Sequence, residues 1–470
     1  MVVSWEFFRI FATKTANSLH LGITKNGFLG LPVILCNFVN GNKHRMNNSP
    51  IYYINPPKTL RGTVQLPASK SISNRALIIH ALAKRGREDC AGSVPGNLSD
   101  CDDTAVIIKA LRDNPEVIDI GAAGTAMRFM TAYLAVTPGE HVLTGTERMK
   151  HRPIGILVNA LRQLGADISY EGEEGFPPLR IKGKPLSGGI IDIPGNMSSQ
   201  YISAMLMIGP VLENGLELRL KGSVISRPYI DLTLWMMREF GADADWTSGD
   251  TVVVRPTPYS QCDYLIENDW SSASYWYEMM ALTDDPDAEI QLPGLTDGSK
   301  QGDSAARYIF SILGVKTTFS KGDSVVLRKN NRVVPRLDYD FVNSPDLVQT
   351  IVATCVAKGI PFYFHGLQTL KIKETDRIEA MRHELRKLGV VVEVKENFDL
   401  VWDGTRSEPT GEPIDTYEDH RMAMSFAPLA FVHPGLAIRN PLVVTKSYPR
   451  FWEELKKVGV EITESSELKE

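Results

Sequence analysis

Apolar residues recur along this chain at the spacing of an amphipathic helix, and several such runs end at a glycine that leads into a strand-like segment. Residues 161–168 show the form, since a helix end passes through Gly165 into the first residues of a strand. The same order returns at intervals of about 70 residues, around Gly241, Gly314, Gly389 and Gly459. The pattern therefore predicts an internally repeated unit that contains helix and strand.

The repeat also predicts the domain organisation. A unit of about 70 residues would occur roughly six times after residue 46, which is too many for a single hydrophobic core. We therefore predict two domains of three units each. The break between them is predicted near residues 268–270, where a strand-like run ends and the helix-like residues 271–276 begin.

Composition and charge narrow the class of protein. Of the 470 residues, 43% are hydrophobic and 23% are charged, as in ordinary soluble globular enzymes. The net charge of −5 argues against a general affinity for nucleic acid or for an anionic membrane. The five cysteines form neither a CxxC motif nor a His-rich cluster, so we expect no disulfide framework, no metal site and a cytoplasmic location.

Residues 1–45 differ from the rest of the chain. Glu6 is their only acidic residue, and residues 27–39 are mostly apolar but too few to span a bilayer. Three interpretations stay open: an over-long reading of the start codon, since Met46 precedes a polar segment; a transit-like presequence; or a folded element. We expect an N-terminal extension that is disordered or not native.

Short polar segments at predicted helix starts carry most of the candidate chemistry. In residues 371–377, five of seven side chains are charged, and the segment lies where a strand-like run gives way to a helix. Each such segment alone is typical of ordinary helix capping. Together they contain Lys70, Arg75, Arg128, Arg148, Lys150, Arg152, Arg227, Lys373, Arg377, Arg421 and Lys446. A cleft lined by these cations would bind several phosphates or carboxylates at once.

Two carboxylates stand among these cations. Asp346, at a helix start, and Glu374 could accept and donate protons if they converge in space. The structural alternatives are a favourable helix-dipole charge for Asp346 and an ion pair with Arg377 for Glu374. Because cations lower a carboxylate pKa and burial raises it, the sequence leaves both protonation states open. His420 is more typical of a structural histidine than of a catalytic one.

These segments resemble the motifs of the 5-enolpyruvylshikimate-3-phosphate (EPSP) synthase family. The resemblance runs in order from about residue 56 to the C-terminus. Its most specific parts are residues 373–377, with the sequence KETDR, and residues 419–424, with the sequence DHRMAM. Further matches are residues 70–75, 124–128, 148–155, 198–200 and 227–231. Residues 1–45 have no counterpart in the family.

The resemblance implies an α/β fold of two similar domains, each of three βαβαββ repeats with helix N-termini facing an interdomain cleft. One domain would span residues 69–267 and make most shikimate 3-phosphate contacts, and the other would combine residues 46–68 with residues 268–470. The implied enzyme transfers the enolpyruvyl group of phosphoenolpyruvate to the 5-hydroxyl of shikimate 3-phosphate and releases phosphate, in the shikimate pathway of aromatic amino acid biosynthesis. A monomer is expected, without cofactor, metal, nucleic-acid or membrane partner.

Carried over position by position, the resemblance implies a role for each cleft residue. Shikimate 3-phosphate would be bound by Ser71, Arg75, Ser198, Ser199, Gln200, Ser226, Tyr229, Asp346 and Lys373. Phosphoenolpyruvate would be bound by Lys70, Gly124, Arg152, Gln200, Arg377, Arg421 and Lys446. Asp346 would take the 5-hydroxyl proton and Glu374 would protonate the methylene carbon, with Lys70 as the third member of the catalytic set.

Two other functions stay open beside this one. Transfer of enolpyruvyl to UDP-N-acetylglucosamine relies, in that branch of the superfamily, on a loop cysteine, and none of the five cysteines lies in a corresponding segment. A non-catalytic module that binds phosphorylated ligands would not need both carboxylates. Ala122, Phe129 and Thr369 depart from the family pattern, which bears on individual polar contacts.

Overall fold

The computed structural model describes residues 49–85, 93–260, 263–320 and 323–466, and the predicted extension at residues 1–45 lies outside these ranges. The strands are β1 (Pro50–Asn55), β2 (Arg61–Thr63), β3 (Val117–Asp119), β4 (Gly139–Thr144), β5 (Asp167–Tyr170), β6 (Leu179–Gly183), β7 (Gly189–Pro194), β8 (Leu216–Lys221), β9 (Ala244–Trp246), β10 (Thr251–Val254), β11 (Glu289–Pro293), β12 (Leu313–Ser320), β13 (Ser324–Val333), β14 (Leu337–Asp340), β15 (Phe362–His365), β16 (Glu393–Lys395), β17 (Asp399–Trp402), β18 (Leu436–Arg439) and β19 (Glu461–Ser466).

The α-helices are α1 (Lys70–Ala83), α2 (Asp102–Asp113), α3 (Gly124–Val136), α4 (Glu147–Lys150), α5 (Gly155–Gln163), α6 (Ser199–Ile208), α7 (Arg227–Glu239), α8 (Trp270–Leu282), α9 (Ala306–Ser311), α10 (Val348–Lys358), α11 (Arg377–Lys387), α12 (His420–Phe426) and α13 (Phe451–Lys457). Short 3₁₀ helices span Gly209–Val211, Gly302–Ala305, Pro345–Leu347, Gln368–Ile372, Ala427–Phe431 and Pro441–Lys446. None of the helices in the described ranges has both the length and the apolar character that a membrane crossing requires.

Four four-stranded sheets have the same strand order. They are β3-β4-β6-β5, β7-β8-β10-β9, β2-β11-β13-β12 and β14-β15-β17-β16. In each sheet the first pair is parallel, which requires a crossover connection, and the other pairs are antiparallel. The connection from β2 to β11 is far longer than the others and contains β3 to β10. The mixed α/β fold predicted from the sequence is confirmed.

A fifth sheet combines strands from both ends of the described chain. β1 lies between β18 and β19 and is antiparallel to both. Ile414 forms an isolated parallel bridge with Ile438 of β18. The bridge at Ile414 takes the place of the first strand, so the spatial order matches that of the other four sheets. In this sheet β1 occupies the position that the fourth strand in sequence occupies in the others.

The glycines of the sequence repeat end helices in a conformation that L-residues rarely adopt. Gly165, Gly241, Gly389 and Gly459 follow α5, α7, α11 and α13 with φ values of +96°, +86°, +75° and +91°. Gly314 has a φ of +102° but stands in β12, directly after the turn that follows α9. The repeated glycine thus reflects one backbone requirement, which is why it was visible in the sequence.

Buried apolar side chains form two clusters. The first core contains residues from Ala68 to Ile266, and the second core combines residues 54–66 with residues 270–460. The chain passes from one core to the other twice, and the two passages lie side by side. Ser69 N donates to Glu267 O at 2.9 Å, and Asp269 N donates to Pro67 O at 2.9 Å.

Candidate active site

A polar cavity lies where helix N-termini of the two cores converge. Unpaired N–H groups at helix starts favour anions at such a place. The cavity lining contains every residue of the predicted site except Lys446, namely Lys70, Ser71, Arg75, Gly124, Arg152, Ser198, Ser199, Gln200, Ser226, Tyr229, Asp346, Lys373, Glu374, Arg377 and Arg421. The Lys446 ammonium group lies 3.3 Å from Oδ1 of Asp103, another lining residue.

Three cations contact the carboxylate of Asp346. Its Oδ1 lies 3.1 Å from Arg377 Nη1 and 3.5 Å from Lys373 Nζ, and its Oδ2 lies 3.0 Å from Arg421 Nη2. The Tyr229 hydroxyl donates to Oδ2 at 3.2 Å. Burial would raise the pKa of Asp346, but these cations, Arg421 foremost, hold it well below its usual value. Asp346 is therefore ionised at neutral pH and can accept a proton.

Arg377 holds three carboxylates with one guanidinium group. Nε donates to Asp419 Oδ2 at 2.7 Å, and Nη2 donates to Asp419 Oδ1 at 3.2 Å. Nη2 also donates to Glu374 Oε2 at 2.9 Å, while Nη1 donates to Asp346 Oδ1 at 3.1 Å. The side chain of Arg377 is only 2% exposed, so these bonds form away from solvent. Because the guanidinium is planar and rigid, it fixes Asp346 and Glu374 relative to each other.

Glu374 lies close to other cations besides its ion-pair partner Arg377. Its Oε1 lies 4.0 Å from Lys446 Nζ. Burial raises the pKa of Glu374, but Arg377, Lys446 and other nearby cations hold it well below its usual value. Glu374 is thus ionised in this state and must gain a proton before it can donate one. An anionic ligand that neutralised these cations would raise its pKa.

Asp103 joins two lysines that come from different cores. Its Oδ2 accepts a hydrogen bond from Lys70 Nζ at 3.1 Å, and its Oδ1 lies 3.3 Å from Lys446 Nζ. Lys446 Nζ also donates to Ala122 O at 2.8 Å, just before α3 begins. Sequence reasoning missed Asp103, because an aspartate in the first turn of a helix is typical of helix-dipole stabilisation.

Gly124, the first residue of α3, leaves room for the guanidinium of Arg152. A Cβ at position 124 would lie 2.5 Å from Arg152 Nη1, closer than real side chains approach. The Nε of Arg152 has no hydrogen-bond partner among the described residues. Arg128 supports the segment that carries Arg152, since it donates to Gly124 O at 3.2 Å and to Pro153 O at 2.8 Å.

Arg75 is held by the first core itself. Its Nε donates to Thr233 Oγ1 at 2.7 Å, its Nη1 donates to Ser71 O at 2.8 Å, and its Nη2 donates to Ser203 Oγ at 3.1 Å. The guanidinium also lies over the ring of Phe129, 5.3 Å from the centroid. Burial lowers the pKa of Arg75 to about 10, so the group remains charged at neutral pH.

A model of the EPSP synthase (3-phosphoshikimate 1-carboxyvinyltransferase) family matches residues 54–116 and 112–455. This chain belongs to the EPSP synthase family. It is 58% identical over 409 residues to a 3-phosphoshikimate 1-carboxyvinyltransferase of Bacteroides fragilis, which covers 87% of this chain and 98% of that protein. It is 35% identical over 439 residues to the protein of the same name from Haemophilus influenzae, covering 86% and 98%.

Solved structures show the same fold. An EPSP synthase from Acinetobacter baumannii matches with a TM-score of 0.70 at 22% identity, over 89% of this chain and 100% of that chain. The enolpyruvyl transferase NikO from Streptomyces tendae matches with a TM-score of 0.66 at 17% identity, over 90% and 100%. At these identities the likeness establishes the fold of this EPSP synthase family member and no more.

Besides Lys446, which lies against the lining residue Asp103, three cations that the sequence grouped with the site of this EPSP synthase family member are absent from its cavity lining. Lys150 pairs with Glu147 at 2.7 Å. Arg227 lies over the ring of Trp246, 3.9 Å from the centroid, and Arg148 is exposed. The hypothesis that the whole cationic set lines one cleft is therefore wrong for these three. Arg227 instead stacks on a nearby aromatic ring, and Lys150 forms a local ion pair.

Within the specific segment at residues 371–377, the structure assigns local tasks to two charged side chains. Asp376 caps α11, because its Oδ1 accepts from Ile378 N and Glu379 N, each at 3.2 Å. Lys371 belongs to the preceding 3₁₀ helix, and its ammonium lies 5.7 Å from the ring centroid of Phe398. Within the described ranges, neither side chain forms an ion pair.

Sequence reasoning also missed cavity residues at the start of α8. Asp269, Ser271, Ser272 and Tyr275 all line the cavity. The Tyr275 hydroxyl accepts from Arg421 Nη1 at 3.3 Å. The available signal was the break in the sequence pattern near residues 268–270, which marks a helix start like those of α1, α3 and α6.

His420 and Thr369 line the cavity with polar atoms that have no hydrogen-bond partner among the described residues. Burial and the neighbouring cations lower the pKa of His420 well below its usual value, so the ring is neutral. Its Nδ1 lies 3.6 Å from Asp419 Oδ1, too far for a hydrogen bond. Among the described residues, His420 therefore makes none of the hydrogen bonds that a buried structural histidine usually makes.

Proposed function

We propose that this chain transfers the enolpyruvyl group of phosphoenolpyruvate to the 5-hydroxyl of shikimate 3-phosphate, with release of phosphate. The observation that carries the proposal is the pair of ionised carboxylates, Asp346 and Glu374, on one guanidinium group of a cationic cavity. General acid–base chemistry on a polyanionic substrate pair needs both features in one place. Family membership supports the same reaction.

The two substrates would use different parts of the cavity. Phosphoenolpyruvate would lie near the start of α3, between Arg152 and the two lysines that flank Asp103. Shikimate 3-phosphate would lie along the starts of α1, α6 and α7. Its proposed ligands are Ser71, Arg75, Ser198, Ser199, Gln200, Ser226, Tyr229, Asp346 and Lys373. Those of phosphoenolpyruvate are Lys70, Gly124, Arg152, Gln200, Arg377, Arg421 and Lys446.

The proton steps follow from the charge state of the carboxylates. Asp346 takes the proton of the 5-hydroxyl as that oxygen bonds to C2 of phosphoenolpyruvate, while Glu374 delivers a proton to C3. The C–O bond to phosphate then breaks and C3 returns a proton to Glu374. Phosphate leaves as hydrogen phosphate with the proton that Asp346 had taken, which restores both carboxylates. The cations around the cavity stabilise the departing phosphate.

Substrate binding would raise the pKa of Glu374, which must hold a proton before it can donate one. The two substrates bring phosphate and carboxylate charges to cations that otherwise lower the pKa of Glu374. Once those cations are neutralised, burial dominates and the pKa rises. Protonation of Glu374 is therefore coupled to occupation of the cavity.

The two hydrophobic cores support a division into two domains, with boundaries at the paired chain passages near residues 68 and 268. We place residues 69–267 in one domain and residues 46–68 with 268–470 in the other. A cytoplasmic monomer that uses no cofactor and binds neither nucleic acid nor membranes completes the proposal.

The deciding experiment measures phosphate release by the purified protein. We expect release only when phosphoenolpyruvate and shikimate 3-phosphate are both present. Release with UDP-N-acetylglucosamine instead would contradict the proposal and favour the related transferase. That transferase relies on a loop cysteine, whereas Cys101 and Cys355 are both buried, and burial raises the pKa values of their thiols. Binding of either substrate without release would favour a non-catalytic module.

A further inference from the structure

Asp103 is a buried carboxylate in a cavity that otherwise suits anions. Its side chain is 6% exposed, and it lies in the first turn of α2. A carboxylate at this place repels an anionic substrate, so its presence calls for a compensating gain. The gain must come from what the carboxylate contacts.

In the part of the chain that the structure describes, the Asp103 carboxylate pairs with two ammonium groups, each on a long, flexible side chain. Lys70 extends from the start of α1 in the first core, and Lys446 ends the 3₁₀ helix Pro441–Lys446 in the second. Each ammonium meets a different oxygen of the one carboxylate. Without a shared counter-charge, two ammonium groups so close together would repel each other.

The neighbouring residues dock the same two segments together. Thr445 Oγ1 donates to Asp102 Oδ2 at 2.7 Å, and Arg450 Nε lies 3.7 Å from Asp100 Oδ2. The side chains in these outer contacts are exposed or, for Thr445, half-buried, whereas Asp103 is the buried, innermost contact. The start of α2 is thus the surface on which Lys446 reaches the first core.

We propose that Asp103 is a positioning residue, which gathers Lys70 and Lys446 from the two cores into one pair that binds the phosphate group of phosphoenolpyruvate. The inference rests on the proposed function. Asp103 does not touch the reacting atoms, and it acts through the two lysines.

The test is the steady-state kinetics of Asp103→Asn. The amide keeps the size of the side chain but removes the counter-charge and places an N–H donor against an ammonium group. We expect the KM for phosphoenolpyruvate to rise at least roughly tenfold, while kcat and the KM for shikimate 3-phosphate stay within about threefold. An unchanged or lower KM for phosphoenolpyruvate overturns the proposal, and so does an equal rise in both KM values.

Asp192→Asn is the matched control. Asp192 Oδ2 lies 3.3 Å from Lys221 Nζ, the same distance as Asp103 Oδ1 from Lys446 Nζ, but the side chains of Asp192 and Lys221 are both exposed. We expect both KM values of this control to stay within about twofold, because exposed ion pairs contribute little. A rise in the KM for phosphoenolpyruvate as large as that of Asp103→Asn would overturn the proposal.

A second variant and a second measurement keep the outcome decisive. If Asp103→Asn fails to fold by circular dichroism, Asp103→Glu decides: its longer side chain should raise the KM for phosphoenolpyruvate alone, and no rise overturns the proposal. A wild type that releases no phosphate would refute the proposed function separately. Calorimetric affinity for inorganic phosphate then decides, since weaker binding by the variant supports the positioning role and equal or tighter binding overturns it.

Discussion

The two walls of the cavity neutralise their cations in different ways. In the first core, Arg75 and Arg128 donate to carbonyl, hydroxyl and thioether groups, and burial and Arg128 together lower the pKa of Arg152. In the second core, burial also disfavours the charge of Arg377, but Asp419, Glu374 and Asp346 raise its pKa. Among the described residues, these three arginines of the first wall form no ion pair, although Lys70 on the same wall pairs with Asp103. We call this the uncompensated wall, and we call the second the balanced wall because its cations pair with carboxylates.

This difference separates binding from proton transfer. A wall with uncompensated cations gains most from anionic ligands, because the ligands supply the charge that the protein omits. A balanced wall has less to gain from an anion, but its ion pairs hold the pKa values of Asp346 and Glu374 low. Substitutions that change one wall at a time can break or sharpen this distinction.

The largest effect is expected from Asp346→Asn in the balanced wall. Loss of a general base typically lowers kcat by roughly 10²–10⁴, and the amide cannot take the 5-hydroxyl proton. Stopped phosphate-release assays would measure kcat and both KM values. Asp338→Asn, which removes an exposed pair with Arg336 at 2.9 Å, is the control and should leave kcat within about twofold. A kcat of Asp346→Asn near that of the wild type would show that Asp346 is not the general base.

Asp303 is a carboxylate near the balanced wall whose pKa shifts in the opposite direction. Ser271 donates to its Oδ2, and its Oδ1 has no hydrogen-bond partner among the described residues. Burial, followed by repulsion from Asp346, raises the pKa of Asp303 to about 7. A raised carboxyl pKa stabilises the fold fully below the unfolded pKa of about 4, and this stabilisation disappears as pH rises through the folded pKa.

Asp303→Asn should therefore become more stable relative to the wild type as pH rises from about 4 to about 8. The change in the difference between their free energies of unfolding is at most about 4 kcal/mol. Chemical denaturation of both proteins across this pH range measures it. A difference that stays constant with pH would show that Asp303 ionises normally in the folded protein.

Gly124→Ala perturbs the uncompensated wall, because the new Cβ would collide with Arg152. We expect the KM for phosphoenolpyruvate to rise roughly tenfold, a loss of about 1.4 kcal/mol in binding, with kcat nearly unchanged. Steady-state kinetics with each substrate varied in turn would test this. Gly249→Ala is the control, since no other atom lies within 4 Å of its added Cβ. Equal effects of the two substitutions would rule out a specific role for the Gly124 contact.

The smallest effect is expected from Arg227→Ala, which removes a cation outside both walls. Its stacking on Trp246 joins two half-buried side chains, so its loss should lower the free energy of unfolding by about 1 kcal/mol. Activity should stay within about twofold, because Arg227 is absent from the cavity lining. Denaturant unfolding and phosphate-release assays would measure the two quantities. A large loss of activity would place Arg227 back among the residues of the site.

Much of the balanced wall could be predicted from the sequence. Glu374 and Arg377 are three residues apart and form a local ion pair, and Asp419 caps the helix that carries Arg421. Local contacts of this kind leave a recognisable motif. By contrast, Asp102 and Thr445 are 343 residues apart, and nothing near Asp103 in the sequence indicates that it meets Lys446.

The sequence by itself determined the repeated unit, the helix starts and the identity of most charged groups, because these depend on backbone conformation and on neighbours within one helical turn. The tertiary structure alone decided which charges share the cavity, since Arg148, Lys150 and Arg227 are absent from its lining while Asp103 and Tyr275 belong to it. It also decided the protonation states of Asp346 and Glu374. Those states depend on burial and on cations gathered from several helices, and both are properties of the folded chain.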